Sequence, residues 1–154
     1  MNIIIDDIKI GLIEIPDEIS LIIPIAGCGH KCINCHSPDY QNCNNGKYFN
    51  ICSFLDLVSK YKDKVSCICF FEGGNKEELI DFAYKVKEIF KTALYTGSDL
   101  INKDYEGCFD YIKYGHYDSK YGGLKENTTN QILLKKEKNN SWKNITDKFW
   151  RTYD

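Results

Sequence analysis

Apolar and polar positions fall in blocks along the chain, and each block has its own period. Residues 17–26, DEISLIIPIA, carry an almost unbroken apolar run, which predicts a buried strand running straight into a cysteine-containing loop. In NICSFLDLVSKYKD (50–63), Ile51, Phe54, Leu55, Val58 and Tyr61 recur at helical spacing, with Asn50 placed to cap the helix. VSCICFF (65–71) is short, β-branched and nearly all apolar, as expected of a strand covered on both faces. It ends at Gly73-Gly74, where NKEELIDFAYKVKEIF opens a second helix. Asn75 and Glu78 stand at capping-box spacing, and Leu79, Phe82, Ala83, Val86 and Ile89/Phe90 form one stripe.

TALYTG (92–97) predicts another buried strand and DLINK one or two helical turns. CFDYIKYG (108–115) predicts a strand, followed by a polar, Gly-rich loop through Asn130 and a last strand in QILLKK. The tail, 136–154, reads equally as helix or extended chain. Strands alternating with helices predict an α/β fold with a parallel sheet and crossover helices in a single domain, 1–154. In such sheets ligands sit beyond the carboxyl ends of the strands. Here those ends carry the cysteine loop, Gly73-Gly74 and Thr96-Gly97, three segments expected to face one pocket.

The composition is that of a globular protein, 43% hydrophobic and 27% charged, and the net charge of −2 offers no basic face for nucleic acid. The longest apolar stretch, ISLIIPIA, is too short to span a bilayer and has no leader-like flank, so a cytoplasmic location is expected. In that setting the eight cysteines read as metal ligands, catalytic groups or small buried side chains rather than as disulfides.

Three of the cysteines, Cys28, Cys32 and Cys35, lie within AGCGHKCINCHSPDYQNC (26–43), which ends in Cys43. Structural zinc normally takes two close pairs of ligands. The other close pair, Cys67 and Cys69, is assigned to opposite faces of its strand and so to separate environments. Zinc held by the triplet with His36 or Cys43 remains open. Neither common ferredoxin spacing matches C-x3-C-x2-C, although Cys43 can fold back as a fourth ligand. Otherwise Cys43, Cys52, Cys67, Cys69 and Cys108 are expected to be small buried or half-buried side chains. A further option leaves one iron of a four-iron cluster open to a substrate. His30 and His116 read as exposed and unpaired.

CGHKCINC resembles the CxxxCxxC signature of the radical S-adenosylmethionine (SAM) superfamily, in which SAM itself takes the fourth iron. CINCHSPDYQ, LYTG at a strand end and TTNQILL late in the chain are, together, similar to the activating proteins of anaerobic (class III) ribonucleotide reductases. The resemblance covers roughly residues 20–135. It implies a small partial (βα) barrel of mostly parallel strands, with Cys28, Cys32 and Cys35 holding a 4Fe-4S cluster. It further implies an oxidoreductase that cleaves SAM reductively and takes a hydrogen atom from a backbone glycine on the large subunit of the reductase, fed by a low-potential electron donor. Gly73 and Gly74 would meet the methionine end of SAM, Asn34 and His36 the adenine side. Thr96 would bond a ribose or carboxylate oxygen, or else cap its own turn. Two departures stand out: Asn75 occupies the place of a usual acidic residue, and Thr128 or Thr129 that of a serine. The rival assignments are a small-molecule radical SAM enzyme of the deazapurine synthase type and a non-catalytic iron–sulfur electron carrier using Cys43.

Overall fold

The computed structural model of the chain describes residues 1–151, which form, in order, β1 (Asn2–Ile3), β2 (Lys9–Gly11), β3 (Ser20–Pro24), β4 (Lys47–Tyr48), α1 (Ile51–Ser59), β5 (Cys67–Phe71), α2 (Lys76–Lys87), β6 (Lys91–Tyr95), β7 (Tyr111–Tyr114), β8 (Ile132–Lys136) and β9 (Trp142–Asn144). Seven of these strands make one sheet in the order β2-β3-β5-β6-β7-β8-β9, while β1 and β4 pair separately.

The apolar runs become the centre of the sheet. β3, β5, β6 and β7 are parallel neighbours, joined through α1 and α2 and a short 3-10 turn at Lys103–Tyr105. Asn50 and Asn75 cap their helices as the sequence predicts, each accepting a backbone amide three residues on, at 2.8 and 2.9 Å. The capping box at Asn75 is only half formed, because the Glu78 carboxylate binds the Met1 amino group instead.

The expectation of mostly parallel strands is corrected. Three of the six pairings in the main sheet are antiparallel, β2 on β3 and the run β7-β8-β9. The reason is local: the chain between β7 and β8 carries no apolar helical stripe, so nothing supports the crossover that a parallel return needs. DLINK likewise supplies only the start of the turn at Lys103–Tyr105, capped by Asn102. Within the tail, β9 is extended and Thr146–Trp150 is a 3-10 turn; residues 152–154 lie outside the described part.

Register explains the two-sided core. Ile23, Phe70, Leu94 and Ile112 line up across the parallel strands and face α1 and α2, packing on Phe54, Val58, Leu79, Phe82, Ala83 and Val86. The alternate row, Ile22, Cys69, Ala93 and Tyr111, faces the other way, where Ile15 and Ile145 cover it. Cys67 belongs to this second cluster with Cys69. Positions two apart on a strand share a face, so placing that pair on opposite faces is wrong. What sets the two thiols apart from a metal site is complete burial among apolar groups, which pushes both upward from the ordinary thiol pKa. Among the described residues no helix is long and apolar enough to cross a membrane.

Candidate functional site

The parallel strands all end on one edge of the sheet, and the next row on the Cys69 side places Phe71, Tyr95 and Lys113 in register there. Phe71 and Tyr95 stack at 5.0 Å with a 10° interplanar angle. They form one wall of a cavity of about 550 Å³ that also takes in Cys35, His36, Tyr117, Lys113 and Gln131. Lys113 is 7% exposed. Its Nζ donates to the carbonyls of Gly115 at 2.9 Å and Thr96 at 3.4 Å and has no carboxylate partner among the described residues. Burial lowers its pKa to about 8.

The cysteine loop rises from the same edge. Gly27 adopts φ +92°, a conformation that side chains disfavour, and the Gly27 and Cys28 amides both donate to the Tyr40 carbonyl, at 2.7 and 2.9 Å. That pair of bonds ties the start of the CxxxCxxC segment to the PDYQ turn. Cys28, Cys32 and Cys35 are half-buried. Burial raises the Cys28 pKa; the backbone amide of His30 opposes this, and the neighbouring Cys35 and Cys32 add to it. The Ser37 amide donates to the Cys35 sulfur at 3.4 Å.

Cys35 faces the 550 Å³ cavity, whereas Cys32 lines a second of about 660 Å³ together with His30, Asp99 and His116. Among the described residues no three His, Cys, Asp or Glu side chains converge as ligands of a single ion. The three thiols share one loop, near enough for Cys35 and Cys32 to act electrostatically on Cys28; a centre of several metal atoms would take one thiolate from each. Cys43 is exposed, its Cβ 3.5 Å from where a Cβ on Gly27 would lie. Cys67, Cys69 and Cys108 are buried as expected, but Cys43 and Cys52 are exposed, which corrects the expectation for those two.

The other residues singled out from sequence fare unevenly. A Cβ on Gly73 would sit 2.3 Å from the Ile25 carbonyl oxygen, so glycine there lets β5 and β3 close up; Gly74 has φ +64° and donates its amide to Gly27 at 3.2 Å. Asn75 spends its side chain on the α2 cap. Thr96 is buried, accepts the Ser98 amide at 3.1 Å and donates to Glu72, which is the turn-capping alternative. Asn34 is exposed at φ +58°, and His36 is exposed with its ring 4.4 Å from that of Tyr117. The TTNQ segment clamps the preceding loop: Thr128 and Thr129 donate to the carbonyls of Tyr121 and Gly122, and Asn130 to that of His116.

His30 and His116 are not unpaired. His116 Nδ1 lies 2.7 Å from Asp99 Oδ1, and His30 Nε2 lies 2.9 Å from Glu72 Oε2. Glu72 also accepts from Thr96 and, at 2.7 Å, from Tyr105. This carboxylate escapes the motif-based expectations, yet it had a signal, a charge closing an otherwise apolar strand in FFEGGN. Lys113 had a comparable one, a lysine at an inward-facing position of YIKY. Compared with known proteins, the chain matches no protein-family model, no curated protein and no solved structure.

Proposed function

We propose that the chain is a radical SAM activase, in which Cys28, Cys32 and Cys35 hold a 4Fe-4S cluster and the protein substrate is the large subunit of an anaerobic ribonucleotide reductase. The observation that carries this reading is the position of the CxxxCxxC loop, on the carboxyl edge of four parallel strands and beside the Gly73-Gly74 turn. β3, β5, β6 and β7 with α1 and α2 are taken as the first half of a partial (βα) barrel, working in the cytoplasm. When bound, the cluster and SAM supply one-electron chemistry that removes a hydrogen atom from a glycine of the partner.

The chain's own residues supply the setting. Phe71, Tyr95 and the His36–Tyr117 pair wall the cavity beside Cys35 with rings, a surface that excludes water from a reactive species. The Ser37 amide donates to the Cys35 sulfur, one of the three that would bind metal, and so helps fix its position. Lys113 places a buried cation at the floor, opposite the charge of any anionic group that enters.

Anaerobic reconstitution with iron and sulfide, followed by a strong reductant and SAM, should yield 5′-deoxyadenosine on chromatography. Addition of a class III reductase large subunit should then give a glycyl radical signal by electron paramagnetic resonance. Cys32→Ala should abolish both while leaving the circular dichroism spectrum unchanged, since neither face of the core uses that loop. Absence of 5′-deoxyadenosine with every reductant tried sinks the proposal. Cys43 beside Gly27 favours one second reading, an electron carrier with Cys43 as fourth ligand. Loss of the cluster in Cys43→Ser would support the carrier; a retained cluster with SAM cleavage intact would reject it.

A further inference from the structure

The segment between Gly29 and Asn34 crosses the strand ends with very little holding it. Among the described residues its one side-chain hydrogen bond to the sheet edge is that of His30 to Glu72. Glu72 is itself fixed from two other directions, by Thr96 at the end of β6 and by Tyr105 in the following 3-10 turn. A second contact points to the same imidazole. A Cβ on Gly97 would meet His30 Cδ2 and Cγ at 2.9 Å, and Gly97 is not in the left-handed region. Its backbone therefore does not call for glycine; the histidine ring lying against it does.

We propose that His30 is the positioning residue of the cysteine loop: its imidazole sits as a peg between the Glu72 carboxylate and the bare Cα of Gly97, and this seat fixes Cys28 and Cys32 against the strand ends. The functional meaning, a loop pre-set for a cluster, rests on the proposed radical SAM reading; the seat itself does not.

The test compares Gly97→Ala, His30→Ala, His30→Gln and the Gly97→Ala/His30→Ala double variant with the starting chain. The first readout uses the metal-free protein: rates of iodoacetamide alkylation, resolved by mass spectrometry at each cysteine, at one pH. Losing a single hydrogen bond of ordinary strength opens a local equilibrium roughly fivefold. Alkylation of Cys28 and Cys32 should therefore rise by about that factor in Gly97→Ala and in His30→Ala. Cys52, exposed and on α1, serves as the control and should not change. His30→Gln, which keeps a donor within reach of Glu72, should restore most of the protection. The double variant should match His30→Ala alone, because the added methyl has no ring left to displace.

No change in Gly97→Ala, an equal rise at Cys52, or a Gly97→Ala effect that persists without the ring would overturn the seat. Should Gly97→Ala fail to fold, the contrast between His30→Ala and His30→Gln decides by itself. Iron and sulfide content after reconstitution is the second readout. A starting chain that shows the expected thiol pattern but binds no cluster refutes the radical SAM reading and leaves the seat standing. A cluster-bearing, SAM-cleaving chain without that pattern does the reverse.

Discussion

Lys113 offers the sharpest energetic test, because its ammonium is buried between carbonyls without a carboxylate. Its pKa falls from 10.5 to about 8 on folding, through burial. That depression corresponds to about 3 kcal/mol of penalty when the group is charged in both states. The sign follows from proton counts. Between about pH 8 and 10.5 the unfolded chain keeps a proton that the folded chain sheds, so this residue makes stability rise with pH across that window. Below it the full penalty applies. Lys113→Met removes the charge and keeps most of the volume. It also strips a donor from Gly115 and Thr96, a loss of about 1–2 kcal/mol that does not vary with pH; Gln131 Nε2, 3.4 Å from the Gly115 oxygen, offsets part of it. The variant should be more stable than the parent by about 1–2 kcal/mol near neutrality. That advantage should shrink by about 2–3 kcal/mol by about pH 10, changing sign on the way. Urea unfolding of both proteins at matched pH values gives the difference curve directly, and other titrating groups cancel in it. A flat difference from about pH 7 to about pH 10 would refute the burial argument.

Asn75→Ala should cost about 1 kcal/mol, lowering the melting temperature by about 2–4 °C in calorimetry, since the Glu78 amide loses its acceptor. Alkaline conditions should destabilise the fold through its buried thiols: above the ordinary value of 9.0 the unfolded Cys69 ionises while burial keeps the folded one neutral. Stability therefore falls by up to about 1.4 kcal/mol per pH unit for that residue, and Cys69→Ala should flatten the limb by this amount in urea titrations. Glu18 accepts from Lys91, Ser66 and Tyr111, and although burial works against it these bonds hold its carboxyl below the usual 4.5. Its stabilising contribution is present at neutral pH and lost as pH drops below about 4.5, so Glu18→Gln should be less stable at pH 7 by about 1.5–3 kcal/mol and show a shallower acid transition.

The central strands and both helices were legible because each buries a stretch of consecutive or periodic apolar side chains between clear stops, a glycine pair after Phe71 and asparagine caps at 50 and 75. Strand direction was not, since β8 has the same local pattern in either sense and only its pairing with β7 decides. β1, β2 and β4, with two or three residues each, are too short for any period to show. At the candidate site the cysteine loop and the strand-end glycines could be placed from sequence, because chemistry-bearing residue types mark them. Glu72 and its three donors could not, as His30, Thr96 and Tyr105 lie 24 to 42 positions away along the chain. Histidines that looked solitary were paired by the fold.

The main sheet ends on both sides in a strand of three residues, β2 and β9, each with a lysine, Lys9 and Lys143. Open backbone donors and acceptors on an outermost strand invite a second molecule to dock alongside and extend the ladder. So brief a margin offers a newcomer few bonds, and the lysines make it pay in desolvation. Fibrillar growth by strand addition is thus discouraged at both margins of a molecule whose interior is rich in β-forming side chains.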